Sequence, residues 1–94
     1  MAFLYILYSE TLDRFYIGSC MDLQRRLQEH NDKAYKTSFT SKANDWNLFY
    51  SLENLEYTQA RKIERHIKSM HSSKYLRDLK KYPEMSEKLI ERFK

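Results

Sequence analysis

The chain is predicted to fold as α+β: a small three-stranded mixed or antiparallel sheet flanked by helices, in the order β-β-α-β-α-α, with an extra C-terminal helix. Three observations lead there. Residues 2–8 form an almost wholly apolar run of strand length. Residues 15–18 form a second, aromatic-rich run across a short polar stretch. Beyond residue 58, apolar side chains recur at helical spacing.

In the first run both alternating sets, Phe3/Tyr5/Leu7 and Leu4/Ile6/Tyr8, are non-polar, which suits a strand covered on two sides. Residues 9–14 turn the chain, so the first two runs read as an antiparallel hairpin. Asp22 is placed to cap the helix that follows, where Leu23 and Leu27 stand one turn apart. Residues 31–45 are polar and without period. In residues 46–52, Trp46, Leu48, Tyr50 and Leu52 alternate on one face with Phe49 on the other, a third strand. Thr58 reads as the cap of a helix with Ala60, Ile63, Ile67 and Met70 inward. Tyr75, Leu76 and Leu79 mark a short helix, and Pro83 opens a last one with Met85, Leu89 and Phe93 inward.

Ninety-four residues suffice for one core and no second. Apolar residues are 41% and charged ones 32%, and eight Tyr, five Phe and one Trp give enough surface to bury that disorder is not expected. No apolar run approaches the ~18 residues of a membrane span, and MAFLYILYSE lacks the basic leader of a signal peptide. Cys20 is the single cysteine, so neither a disulfide framework nor a thiolate metal cluster is expected, and a reducing, cytoplasmic setting follows. The formal charge of +4 is unevenly placed. Residues 1–60 hold six Lys/Arg against eight Asp/Glu, whereas 61–81 hold eight (Arg61, Lys62, Arg65, Lys68, Lys74, Arg77, Lys80, Lys81) against Glu64 and Asp78. Such a concentration suits a polyanionic partner, although a solvated helix face would look the same.

The side chains with chemical potential fall on related faces. If the hairpin turn centres between residues 11 and 12, Tyr5 opposes Gly18 and Tyr16 opposes Leu7. The two tyrosines then share a sheet face as diagonal neighbours, roughly 7–8 Å apart. Gly18, the single glycine, permits either close backbone approach or an unusual dihedral, or simply ends the strand. Arg26 and His30 are four apart and stack along one helix face. Glu64 interrupts the apolar stripe between Ile63 and Ile67, costly unless it is paired, for instance with Lys68, or binds a cation.

Together, Phe3-Leu4-Tyr5, Tyr16-Ile17-Gly18, Arg26, His30 and Glu64 resemble the GIY-YIG nuclease family in order and spacing. The run YIGSCMDLQRRLQEHN is similar to the family's strand–loop–helix signature, and residues 60–68 to its glutamate-bearing helix. The likeness covers roughly residues 2–80 and is nearest to small stand-alone members related to the excision-repair incision subunit. It implies a nuclease domain over 1–82, with 83–94 as a helical extension packed on it. Two departures stand out: the first motif has no glycine, and Ser19 stands where some relatives carry lysine.

The resemblance implies metal-dependent endonucleolytic hydrolysis of DNA, in repair or processing. Glu64 would hold a divalent cation, Mg²⁺ or alternatively Mn²⁺, which needs only one or two carboxylates. Arg26 would hold the phosphate through its fork of donors. Tyr5 would activate water, Tyr16 would orient it or the metal-bound shell, and His30 would bond a tyrosine hydroxyl or a phosphate oxygen. Lys33, Lys36, Lys42, Arg61, Arg65, Lys68 and Lys74 would hold the flanking backbone, fixing position but not sequence. His66 and His71 read as solvent-facing. The competing readings are a nucleic-acid-binding module of this fold with little or no catalysis, and an interaction domain for an acidic protein.

Overall fold

The first strand, apolar on both faces, lies in the middle of the sheet. In the computed structural model, which describes residues 1–31 and 42–94, β1 (Ala2–Ser9) lies between β2 (Arg14–Cys20) and β3 (Trp46–Leu55), antiparallel to both. The remaining elements are α1 (Leu23–Asn31), α2 (Tyr57–Ser69), α3 (Ser73–Lys81) and α4 (Pro83–Arg92), giving the expected order. The hairpin has the expected register, with Tyr5 opposite Gly18 and Leu7 opposite Tyr16. Among the described residues no helix is long and apolar enough to cross a membrane.

The hairpin loop is tied down by Asp45, just ahead of β3. Its carboxylate accepts from Ser9 Oγ (2.6 Å), Thr11 N (3.0 Å) and Thr11 Oγ1 (2.9 Å). Those bonds, the Ser9 hydroxyl first, hold the Asp45 pKa down to about 2. Asp13 takes the left-handed conformation (φ 51°) at the second strand's entry, and Tyr8 donates to its carboxylate at 2.6 Å. Asn31, at the end of α1, brackets Trp46 by accepting from its N–H (2.7 Å) and donating to its carbonyl (2.9 Å).

The two faces of β1 feed two cores. Ala2, Leu4 and Ile6 pack with Leu52, Leu55, Ile63, Ile67, Leu76, Leu79 and Leu89 from the other elements. Tyr5 and Leu7 pack with Cys20, Ala43 and Trp46, with Leu23 and Leu27 of α1 alongside. α4 joins the first core through Leu89, and Gln59 of α2 donates to the Ile90 carbonyl at 3.0 Å.

Four local expectations are corrected. Trp46, Leu48, Tyr50 and Leu52 do not share one face. The β1–β3 register slips between Ile6 and Leu7 and again between Ala2 and Leu4, so Trp46 faces the second core while Phe49, Tyr50 and Leu52 face the first. α2 begins at Tyr57 rather than after Thr58, because Leu55 ends the strand buried and the Gln59 side chain accepts the Glu56 N–H at 3.2 Å. Met70 is the C-cap, 42% exposed, and His71 after it is left-handed (φ 47°), so the helix turns away before Met70 can face inward. His66 is half-buried against the rings of Phe93 (5.4 Å) and Tyr75 (6.4 Å), not solvent-facing as the sequence suggested.

Candidate active site

Gly18 is the pivot of the site. Its φ is not positive and β2 continues past it to Cys20, so it is neither a strained turn nor a strand end. A Cβ there would run into the hydroxyl and ring edge of its cross-strand partner Tyr5. The missing side chain lets the Tyr5 ring lie across β2, so that a residue of the central strand reaches a cleft at the sheet's edge.

Three rings cluster there. Tyr5 and Tyr16 have centroids 6.4 Å apart, and His30 lies 6.1 Å from the first and 4.9 Å from the second. The Tyr5 hydroxyl is 3.1 Å from His30 Nε2, and both residues are nearly inaccessible. Burial, reinforced by Tyr16, pushes the Tyr5 pKa well up, against the charge and hydrogen bond of Arg26. Burial and then the Arg26 charge hold the His30 pKa down, with Glu29 opposing. A neutral imidazole accepting at Nε2 from a protonated Tyr5 fits both shifts. Arg26 itself is half-buried on α1, its Nε 3.5 Å from Glu29 Oε1. Cys20 also lines the cleft, and burial pushes its thiol up, away from the reactive thiolate.

Glu64 approaches from the other side of the sheet. Ser19 follows Gly18 and so points to the opposite face, where its Oγ donates to Glu64 Oε1 at 2.6 Å. Lys68 Nζ, one turn along α2, meets Oε2 at 2.6 Å. The pairing that the sequence offered for Glu64 is therefore present, supplemented by a hydroxyl it did not suggest. The Glu64 side chain is 16% exposed, enough to contribute to the cleft wall.

A cleft of about 810 Å³ wraps the β2 edge, lined by Tyr5, Tyr16, Gly18, Ser19, Arg26 and Glu64 among others. Four of the five chemical candidates thus line one cleft, and His30 lies behind it, bonded to Tyr5. Of the expected backbone-holding cations, Arg61 lines the cleft, and Arg65 and Lys68 adjoin it in a hollow shared with Glu64. Lys74 pairs with Asp78 at 3.8 Å, and neither Lys74 nor the exposed Lys42 lines the cleft or the hollow. Lys33 and Lys36 lie outside the described residues. Among the described residues no three His, Cys, Asp or Glu side chains converge as a metal cluster.

Sequence reasoning missed Met21, Arg25, Glu29 and Tyr57 on the cleft wall. Tyr57 was legible: Tyr57, Arg61 and Glu64 follow the i, i+4, i+7 spacing of one helix face.

A model of the GIY-YIG catalytic domain matches residues 1–77. The chain belongs to the GIY-YIG family. The matched span runs from β1 into α3 and contains every residue of the cleft, and the fold is accordingly of the family's nuclease type. A search of curated proteins gave no match, and neither did a search of solved structures.

Proposed function

We propose that this chain is a divalent-metal-dependent endonuclease that hydrolyses phosphodiester bonds in DNA, within a cytoplasmic repair or processing role. One observation carries the reading: Tyr5, Tyr16, Arg26 and Glu64, which resemble the GIY-YIG motif residues in order and spacing, line a single cleft at the sheet edge. On this reading residues 1–82 form the catalytic domain and 83–94 an extension packed on it.

The donor set at Glu64 fits a hard cation. The Glu64 carboxylate borders an open cleft, one of its oxygens is held by an ammonium on a half-exposed, flexible stem, and Mg²⁺ or Mn²⁺ asks for few protein ligands. A cation bound there would supply charge stabilisation for the phosphate and the leaving oxygen. Ser19 orients the carboxylate, and Lys68 neutralises it until released. Arg26 presents its fork to the phosphate, a contact that strengthens as negative charge grows. Tyr5 activates water. Its hydroxyl donates to His30 Nε2, which leaves the phenolic oxygen able to accept a hydrogen bond from the water. Tyr16, less buried, orients the attacking water. Arg61 and Arg65 hold the flanking backbone.

The second reading, a DNA-binding module without catalysis, draws on the two bonds that already occupy Glu64. Supercoiled plasmid separates the two. The wild-type chain is expected to nick it with Mg²⁺ and not with chelator, and Glu64→Ala to lose nicking while retaining DNA affinity. Equal nicking by wild type and variant would overturn the nuclease reading.

A further inference from the structure

Two side chains on the cleft wall have no part in the proposed chemistry and none in either core. Tyr57, in the first turn of α2, is 49% exposed, and Met21, between β2 and α1, is 58% exposed. Single exposed apolar residues are ordinary. These two come from different elements and border the same cleft, whose other walls carry Arg25, Arg26 and Arg61. The Tyr57 ring is also held in place. Arg61 Nη1 donates to its hydroxyl at 3.1 Å, and the guanidinium carbon lies 5.9 Å from the ring centroid. The ring sits seven residues before Glu64 on the same helix face, about 10 Å along the axis.

An exposed, pre-oriented aromatic ring among arginines suits the flat face of a nucleobase, with the guanidinium groups taking the adjoining phosphates. In continuous duplex the base faces are covered by their stacked neighbours, so the ring would have nothing to stack on. An unpaired base offers that face.

We propose that the cleft seats an unpaired nucleobase against Tyr57 and Met21, beside the phosphate held by the arginines, so that single-stranded or flap-bearing DNA is bound in preference to continuous duplex. This rests on the nuclease reading above and names its substrate class. Tyr57 acts as a specificity residue, and Met21 is the soft, adaptable second wall.

The test is binding in chelator, where no turnover interferes. A short single strand carrying 2-aminopurine and the duplex of the same sequence are titrated with wild type, Tyr57→Ala and Tyr57→Phe, each checked for fold by circular dichroism. The wild-type chain is expected to quench the 2-aminopurine emission. Tyr57→Ala should lose the quenching and bind the single strand about tenfold more weakly, with duplex affinity near the wild-type value. Tyr57→Phe should restore both signals, since it keeps the ring. An unchanged single-strand affinity in Tyr57→Ala, or an equal loss on both forms, would overturn the proposal while leaving the nuclease reading intact. Failure of the wild-type chain to bind either form would sink the nuclease reading and this inference with it.

Discussion

On one side of the sheet Leu4, Ile6, Ile63, Ile67 and Leu79 are buried in an aliphatic core between the strands and the helices α2 to α4, with the rings of Phe15, Phe49, Tyr50, Tyr75 and Phe93 packed around it. On the other, the same strand buries Tyr5 against His30 and Tyr16, beneath an arginine and beside a thiol. The first face derives its stability from area, which is non-directional and indifferent to which methyl group fills the space. The second buries groups that must be hydrogen-bonded, and their protonation depends on burial. The difference teaches that along β1 stability and chemistry are separable, since the strand alternates residue by residue between them, while Glu64 reaches the cleft from α2 on the first side. Substitutions on the two faces are expected to fail in different ways.

The largest effect is expected on the aliphatic face. Leu79→Ala removes a fully buried side chain and should cost about 2–5 kcal/mol in urea unfolding. The NMR titration of His30 should stay where it is in wild type. A shift in that titration would show that the two faces are coupled.

Gly18→Ala should cost less, about 1–3 kcal/mol from overpacking, yet change the site more. The added methyl must displace the Tyr5 ring and break its bond to His30. The His30 midpoint should then rise toward its ordinary value of 6.5 as its burial relaxes. An unmoved midpoint would mean that the ring does not depend on the glycine.

A smaller effect appears only with pH. Burial favours neutral His30 in the folded chain, so below about 6.5 the unfolded chain binds a proton that the folded one refuses. With more protons bound unfolded than folded, stability rises with pH, is complete above that point and is lost on the acid side. His30→Gln should flatten this slope in unfolding measurements across the interval. The aliphatic-face variant Leu79→Ala should keep the wild-type slope, lowered uniformly.

The hairpin and the helices were legible because their causes are local. The loop between β1 and β2 is short, so centring its turn sets every pair from Phe3–Cys20 to Ser9–Arg14. An odd separation of eleven residues then places Tyr5 and Tyr16 on one face. The Asp22 cap is equally local: its carboxylate accepts the Arg25 N–H at 3.1 Å. β3 was misread in its facing because its two register slips are set by how it must fit β1, and simple alternation has no term for them. Met70 was misassigned because continuing the 3.6 period says nothing of where the chain must turn to begin α3.

By itself the amino-acid sequence determined the order of elements, the hairpin register and the family, and it offered the i, i+4 pairing of Glu64 with Lys68 as one alternative. All of these depend on neighbours within a turn or across a tight loop, or on the motif residues themselves. Only the tertiary structure decided what those residues meet. The ring that requires Gly18 to be glycine comes from thirteen residues upstream, and the hydroxyl on Glu64 from forty-five. The burial that raises Tyr5 and lowers His30 exists only once α1 closes over the sheet. Side-chain spacing is written along the chain, whereas solvent exclusion and close approach are properties of elements brought together. For that reason the motif residues of the cleft could be read in advance, but not its electrostatics or most of the rest of its wall.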